Sequence, residues 1–228
     1  MQGTPYPYEL IFLDLDGTLI ETGGEIADAV NDTLADLSLA PIESLSIERW
    51  IGMGTQALLA RALALRWGMP ASEAVIAEPF SGCLARFAHH YLLRCGTTSR
   101  VYPHVRPVLQ ALRPWRVRLA VLTNKEDRYT RRLLEAHGLL SLFDMIVSGD
   151  TYPTKKPDPY GANQCLHHFG LSPDRALLVG DSSIDVATAR HAGIPVWVLP
   201  YGYNMGEPIE SCGADRVIPD LSALLPSA

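Results

Sequence analysis

The chain has 228 residues, enough to bury a sizeable core as one large domain or as a domain carrying an insertion. Hydrophobic residues make up 47% and charged residues 19%, an ordinary globular composition, and the net charge of -6 argues against a large nucleic-acid surface while leaving room for a local anion pocket. No apolar run reaches the ~18 residues of a membrane span, MQGTPYPYEL lacks the features of a signal peptide, and Cys83, Cys95, Cys165 and Cys212 form no CxxC, so a cytoplasmic protein with free thiols is expected.

In chain order the first element is an apolar run, Leu10–Leu13, that suits a buried strand. Asp14 and Asp16 follow it two residues apart, on one side of the segment if it stays extended. Burying two unpaired carboxylates together is costly, so their presence calls for a compensating group. From about Glu21 to Gly96 the pattern is helical only: Ile26, Ala29, Val30, Thr33, Leu34 and Leu37 share one stripe, and Phe80, Leu84, Phe87 and Tyr91 another. Pro79 suits the first turn of the second helix. Gly23-Gly24 and the stretch Gly96-Thr97-Thr98-Ser99 read as paired hinges.

From Val101 onward, strands Val117–Leu122, Met145–Val147, Ala176–Val179 and Val196–Leu199 alternate with helices Lys125–His137 and Asp158–Phe169, each helix ending at a glycine. That rhythm predicts an α/β fold, a doubly wound Rossmann-like parallel sheet with an inserted all-helical domain. Residues 1–20 and 98–228 form the expected core and 21–97 the insertion.

Ligands of open parallel sheets bind beyond the carboxyl ends of the strands. Four polar groups fall at such ends: Asp14 with Asp16, Thr123-Asn124-Lys125, Lys155-Lys156-Pro157, and Asp181 with Asp185. Singly each is an ordinary turn or helix cap; together, carboxylates converging on one point need a cation, and all-oxygen donors favour a hard one such as Mg2+. A phosphate brought to that metal needs further donors and a positive charge, which Thr123, Asn124 and Lys156 can supply. A carboxylate attacking phosphorus forms an aspartyl-phosphate. The expected partner is therefore a small phosphorylated metabolite, with no nucleic acid and no membrane, handled by a monomer or homodimer.

The ordered stretches DLDGT, a Thr at a strand end, KKPDP and GDSSID resemble the four motifs of the haloacid dehalogenase superfamily of phosphohydrolases, from Ile11 to about Gly193. The helical insertion is similar to that superfamily's C1-type cap. WIGMGTQALLARAL, VYPHVRPVLQAL and YGYNMGEPI further resemble phosphoglycolate phosphatases, although Glu21 stands where many of these carry Asp. The resemblance implies that Asp14 is the nucleophile and a Mg2+ ligand, and that Asp16 is the acid/base, its backbone carbonyl on the metal. It further implies Thr123 and Asn124 on the phosphoryl oxygens, Lys156 neutralising charge, Asp181 on Mg2+, and Asp185 orienting the water shell or Lys156. Asp16 and Asp181 argue against dehalogenation, and Thr18, often Val in phosphomutases, leans towards a phosphatase.

Specificity is expected from the cap loop Ile51–Thr55, where Gly52 and Gly54 permit close approach of a carboxylate to the N-terminus of a helix, with Arg49 as an extra partner. The competing substrates are a sugar phosphate, an amino-sugar 6-phosphate or pyrophosphate. A phospho-aspartate signalling switch is the competing class, disfavoured by the chain length, the insertion and Asp16.

Overall fold

The computed structural model describes residues 6–226. In chain order, β1 (Leu10–Leu13) and β2 (Ile20–Glu21) are followed by five helices: α1 (Gly23–Asp36), α2 (Ser44–Glu48), α3 (Thr55–Trp67), α4 (Ala71–Ala74) and α5 (Phe80–Arg94). Then come β3 (Arg100–Val101), α6 (Val105–Leu112), β4 (Arg118–Leu122), α7 (Asp127–Ala136), β5 (Met145–Val147) and α8 (Tyr160–Phe169). The remaining elements are β6 (Ala176–Gly180), α9 (Ser183–Ala192), β7 (Val196–Val198) and β8 (Arg216–Val217).

β1 is apolar throughout because both its faces are covered. Leu10 and Phe12 pack with Ala120, Leu178 and Val196 on one side of the sheet, while Ile11 and Leu13 pack with Val121, Leu177 and Val179 on the other. The strands form a six-stranded sheet in the order β5-β4-β1-β6-β7-β8, every pair parallel. The winding reverses at β1, so the ligand crevice of this sheet lies where β4, β1 and β6 end. The α/β class and the parallel sheet are as the sequence predicts.

All five helices α1–α5 lie between β2 and β3, which pair antiparallel and so bring the two connections side by side. α1 packs on α5, burying Ile26, Ala29, Val30, Thr33 and Leu34 against a face carrying Phe80, Phe87 and Tyr91; Leu37 and Leu84 are half-buried. This apolar layer is continuous with the sheet face that holds Leu13 and Leu15.

Both connections read as hinges are hydrogen-bonded in this structure. Gly23 and Gly24 are the first residues of α1, and the Gly23 N–H donates to Tyr203 Oη at 2.7 Å. At the other connection, the N–H groups of Gly96, Thr98 and Ser99 donate to the buried Glu25 carboxylate at 3.0, 2.5 and 2.7 Å. The reason is the usual one for a helix start: its first N–H groups lack intrahelical partners, and here Tyr203 supplies an acceptor.

Two helices begin later than their apolar pattern suggests. α7 starts at Asp127 rather than Lys125 because Asn124 and Lys125 turn into the site, and α8 starts at Tyr160, whose N–H is capped by Asp158 at 2.9 Å. All four cysteines are free, and among the described residues no helix is long and apolar enough to cross a membrane.

Candidate active site

Three adjacent strands deliver the central side chains: Thr123 follows β4, Asp14 follows β1 and Asp181 follows β6. Beyond Asp14 the chain does not stay extended. The Leu15 carbonyl accepts from the N–H groups of Leu19 and Ile20 at 2.9 and 3.0 Å, folding the segment into a tight loop. Asp14 and Asp16 therefore reach different ammonium groups. Asp14 Oδ1 lies 3.0 Å from Lys156 Nζ, whereas Lys125 Nζ donates to both Asp16 oxygens at 2.7 and 3.0 Å, and Thr22 Oγ1 adds a third bond at 2.7 Å. Repulsion between the two carboxylates is thus met by one cation each.

Asp181 is held from two sides. Thr18 Oγ1 donates to Oδ1 and the Tyr203 N–H to Oδ2, both at 2.6 Å. Gly17 and Gly202 press against the same carboxylate: a Cβ on either would sit 2.2 or 2.1 Å from Asp181 Oδ2, so only glycine fits. Asp185, wholly buried, accepts from Lys156 Nζ at 2.7 Å on Oδ1 and from the Ser182 hydroxyl and N–H on Oδ2, closing a capping box at the start of α9. Lys156 is 5% exposed and bridges Asp14 to Asp185.

The residues fit a divalent cation. One carboxylate oxygen from each of Asp14, Asp181 and Asp185 lies within 4.8 Å of the others, near the ~4 Å that opposite oxygens span across Mg2+. Asp14, Asp16, Asp181 and Asp185 bring four carboxylates, and Lys125 and Lys156 two ammoniums, so the ionised group lacks two positive charges. Burial pushes the Asp14 carboxyl up to about 6, the Lys156 ammonium only partly opposing it. Burial, then the Asp14 and Asp185 charges, hold Asp181 well above the ordinary carboxylate range. Burial alone would pull Lys156 down, but the Asp14 and Asp185 carboxylates outweigh it and keep the ammonium charged.

A pH dependence follows for the metal-free protein. Asp14 and Asp181 bind protons more tightly folded than unfolded, so the folded state carries more protons as pH rises from about 4 through about 6 and beyond. Stability should fall over that window, by up to about 1.4 kcal/mol per pH unit for each proton. Denaturant titrations in chelator from pH 5 to 8 should show a shallower decline for Asp181→Asn than for the native chain. Parallel declines would remove Asp181 as a contributor.

Thr123 Oγ1 accepts from the Lys125 N–H at 3.3 Å, leaving the hydroxyl hydrogen to donate elsewhere. Asn124, expected on a phosphoryl oxygen, bonds to protein carbonyls in this structure. Its amide nitrogen donates to the carbonyls of Gly52 at 2.8 Å and Lys156 at 3.0 Å, and its buried Oδ1 has no partner. The loop carrying Gly52 and Gly54 is latched further by Lys155 Nζ on the Met53 carbonyl at 2.9 Å and by Thr55 Oγ1 on Glu126 at 2.7 Å. Both glycines line a cleft between this loop and the sheet, together with Asp14, Asp16, Thr123, Asn124 and Lys125. Ile26, Ile51, Leu58, Phe87 and Tyr91 form its apolar wall. Arg49 does not line this cleft; its side chain runs along Gly206 on a neighbouring groove.

Sequence reasoning passed over Lys125, although it stands inside the Thr123-Asn124-Lys125 cluster, and Tyr203, whose phenol ties α1 to the Asp181 loop. Tyr203 stands in the stretch YGYNMGEPI, but nothing local gives it this role, which depends on contacts about 180 residues away in sequence.

The model of the haloacid dehalogenase-like hydrolases matches residues 10–199. A phosphoglycolate phosphatase from Rhodospirillum rubrum is 41% identical over 218 residues, covering 96% of this chain and 89% of that protein. One from Nitrosospira multiformis is 38% identical over 95% of this chain and 94% of its own length. The crystal structure of a predicted phosphoglycolate phosphatase from Haemophilus somnus superposes with a TM-score of 0.90 at 33% identity, covering 96% of both chains.

Proposed function

Because the chain belongs to the haloacid dehalogenase-like hydrolase family, we propose that this phosphoric monoester hydrolase converts 2-phosphoglycolate to glycolate and phosphate with Mg2+ as cofactor. The observation that carries the chemistry is the buried Asp14 carboxylate, held at 3.0 Å by Lys156 beside the Asp181 and Asp185 carboxylates. The relatives named phosphoglycolate phosphatase over nearly the whole chain support the substrate.

In this reading Asp14 attacks phosphorus in line, forming an aspartyl-phosphate as the ester bond breaks. Asp16, a carboxylate paired with Lys125 in the resting site, has to take up a proton when the ester binds; it gives that proton to the leaving alkoxide, then takes one from the water that cleaves the aspartyl-phosphate. The Thr123 hydroxyl donates to a phosphoryl oxygen, and Lys156 offsets charge on both Asp14 and the phosphoryl group. Asp14, Asp181 and the Asp16 carbonyl would hold Mg2+, with Asp185 fixing Lys156 beside them. Bound Mg2+ supplies charge neutralisation at the phosphoryl oxygens.

Residues 21–97 act as a cap whose loop at Gly52–Thr55, latched to Asn124, Glu126 and Lys155, excludes water from the cleft. The free thiols support work in the reducing cytoplasm. A panel of 2-phosphoglycolate, sugar phosphates, amino-sugar 6-phosphates and pyrophosphate, assayed with Mg2+, should give the highest kcat/KM for 2-phosphoglycolate. Excess chelator should remove the activity and Mg2+ restore it. A higher kcat/KM on another ester reassigns the substrate; activity unchanged by chelator removes the metal.

A further inference from the structure

Lys125 has no part in the phosphoryl chemistry, yet it occupies a costly position. It follows β4, is 6% exposed, and holds Asp16 through two hydrogen bonds. An ammonium has three N–H donors. Among the described residues no second acceptor takes the third, and Nζ lies 4.8 Å from the centre of the Tyr91 ring. Among the described residues lining the cleft, Lys125 is the one cation; Lys156 is not among them and pairs with Asp14 and Asp185.

The groups lining the cleft match a particular ester. Phosphorus belongs at Asp14 and the leaving oxygen at the acid, Asp16; the Lys125 ammonium lies 2.7 Å from Asp16 Oδ2, and Ile26, Leu58 and Phe87 give the same cleft an apolar wall. A leaving group rich in hydroxyls would leave them unpaired against that wall. A short one ending in a negative charge would place that charge on Lys125. We infer that Lys125 is the specificity-determining residue of this site, its Nζ binding the carboxylate of the substrate while it keeps hold of Asp16. This inference rests on the phosphoglycolate reading and moves the anion-binding role from the cap loop Ile51–Thr55, with Arg49 as its extra partner, to the core.

Ethyl phosphate isolates the contact, because it replaces the carboxylate of 2-phosphoglycolate with a methyl group. The native enzyme should prefer 2-phosphoglycolate by ~100-fold or more in kcat/KM, the range expected when a site's polar group is left unpaired by an analogue. In Lys125→Met both substrates lose some rate, because Asp16 loses a partner, but the preference should collapse to within about tenfold, chiefly through a higher KM for 2-phosphoglycolate. Lys125→Arg, which keeps the charge, should retain much of the preference. Lys125→Gln, which can still donate to Asp16, serves as the second uncharged variant should Met not fold, and should lose the preference equally. An unchanged ratio in a folded uncharged variant overturns the inference and leaves Lys125 as a support for Asp16 alone. A native enzyme without the preference overturns the phosphoglycolate reading itself, and the role of Lys125 with it.

Discussion

Asp14→Asn should lower turnover by ~10^4-fold or more while leaving the fold intact. The amide matches the carboxylate in shape, and its oxygen can still accept from the Leu15 N–H, which lies 2.7 Å from Asp14 Oδ1. What it cannot do is attack phosphorus. Because Asp14 raises the proton affinity of Asp181 as a neighbouring charge, the metal-free variant should be no less stable than the native chain. Steady-state kinetics with 2-phosphoglycolate, thermal melting in chelator, and acid-quenched mass spectrometry for protein-bound phosphate provide the check. Native-like phosphate incorporation in the variant would move the nucleophile elsewhere.

Lys156→Met should cost both activity and stability. Its ammonium is buried between Asp14 and Asp185, 3.0 and 2.7 Å away. Removing one partner of a buried ion pair typically costs about 3–5 kcal/mol, because the remaining charges are left uncompensated. Turnover should fall by ~10^3-fold or more, since in the proposed mechanism neither the nucleophile nor the transferring phosphoryl group would keep its neutralising charge. The double variant Lys156→Met/Asp185→Asn separates the two effects. Removing the stranded Asp185 charge should return part of the stability, as expected for directly coupled residues, and none of the activity. Joint recovery of both would mean that Lys156 acts only as scaffolding.

The fold class could be read from the chain because its signals are local. A run such as LIFL, apolar at every position, belongs to a strand covered on both faces, and the glycines after α7 and α8 mark where those helices stop. β2, β3 and β8 were missed because two residues are too few to show a period. The place of Gly23-Gly24 inside α1 was hidden for a related reason: Gly-Gly reads as a loop unless the acceptor for the Gly23 N–H, here Tyr203, is known.

By itself the sequence determined which chemical groups stand at the strand ends: four carboxylates, Thr123, Asn124 and three lysines, a set that suits a divalent cation and a phosphoryl group. Only the tertiary structure decided how they pair. The tight loop after Asp14 sends the two carboxylates of DLDGT to different lysines, Asp16 to Lys125 at a separation of 109 residues, while Thr18 reaches Asp181 across 163. Such pairings are set by chain reversals and strand order, which no local period encodes, so the composition of the site was legible and its wiring was not.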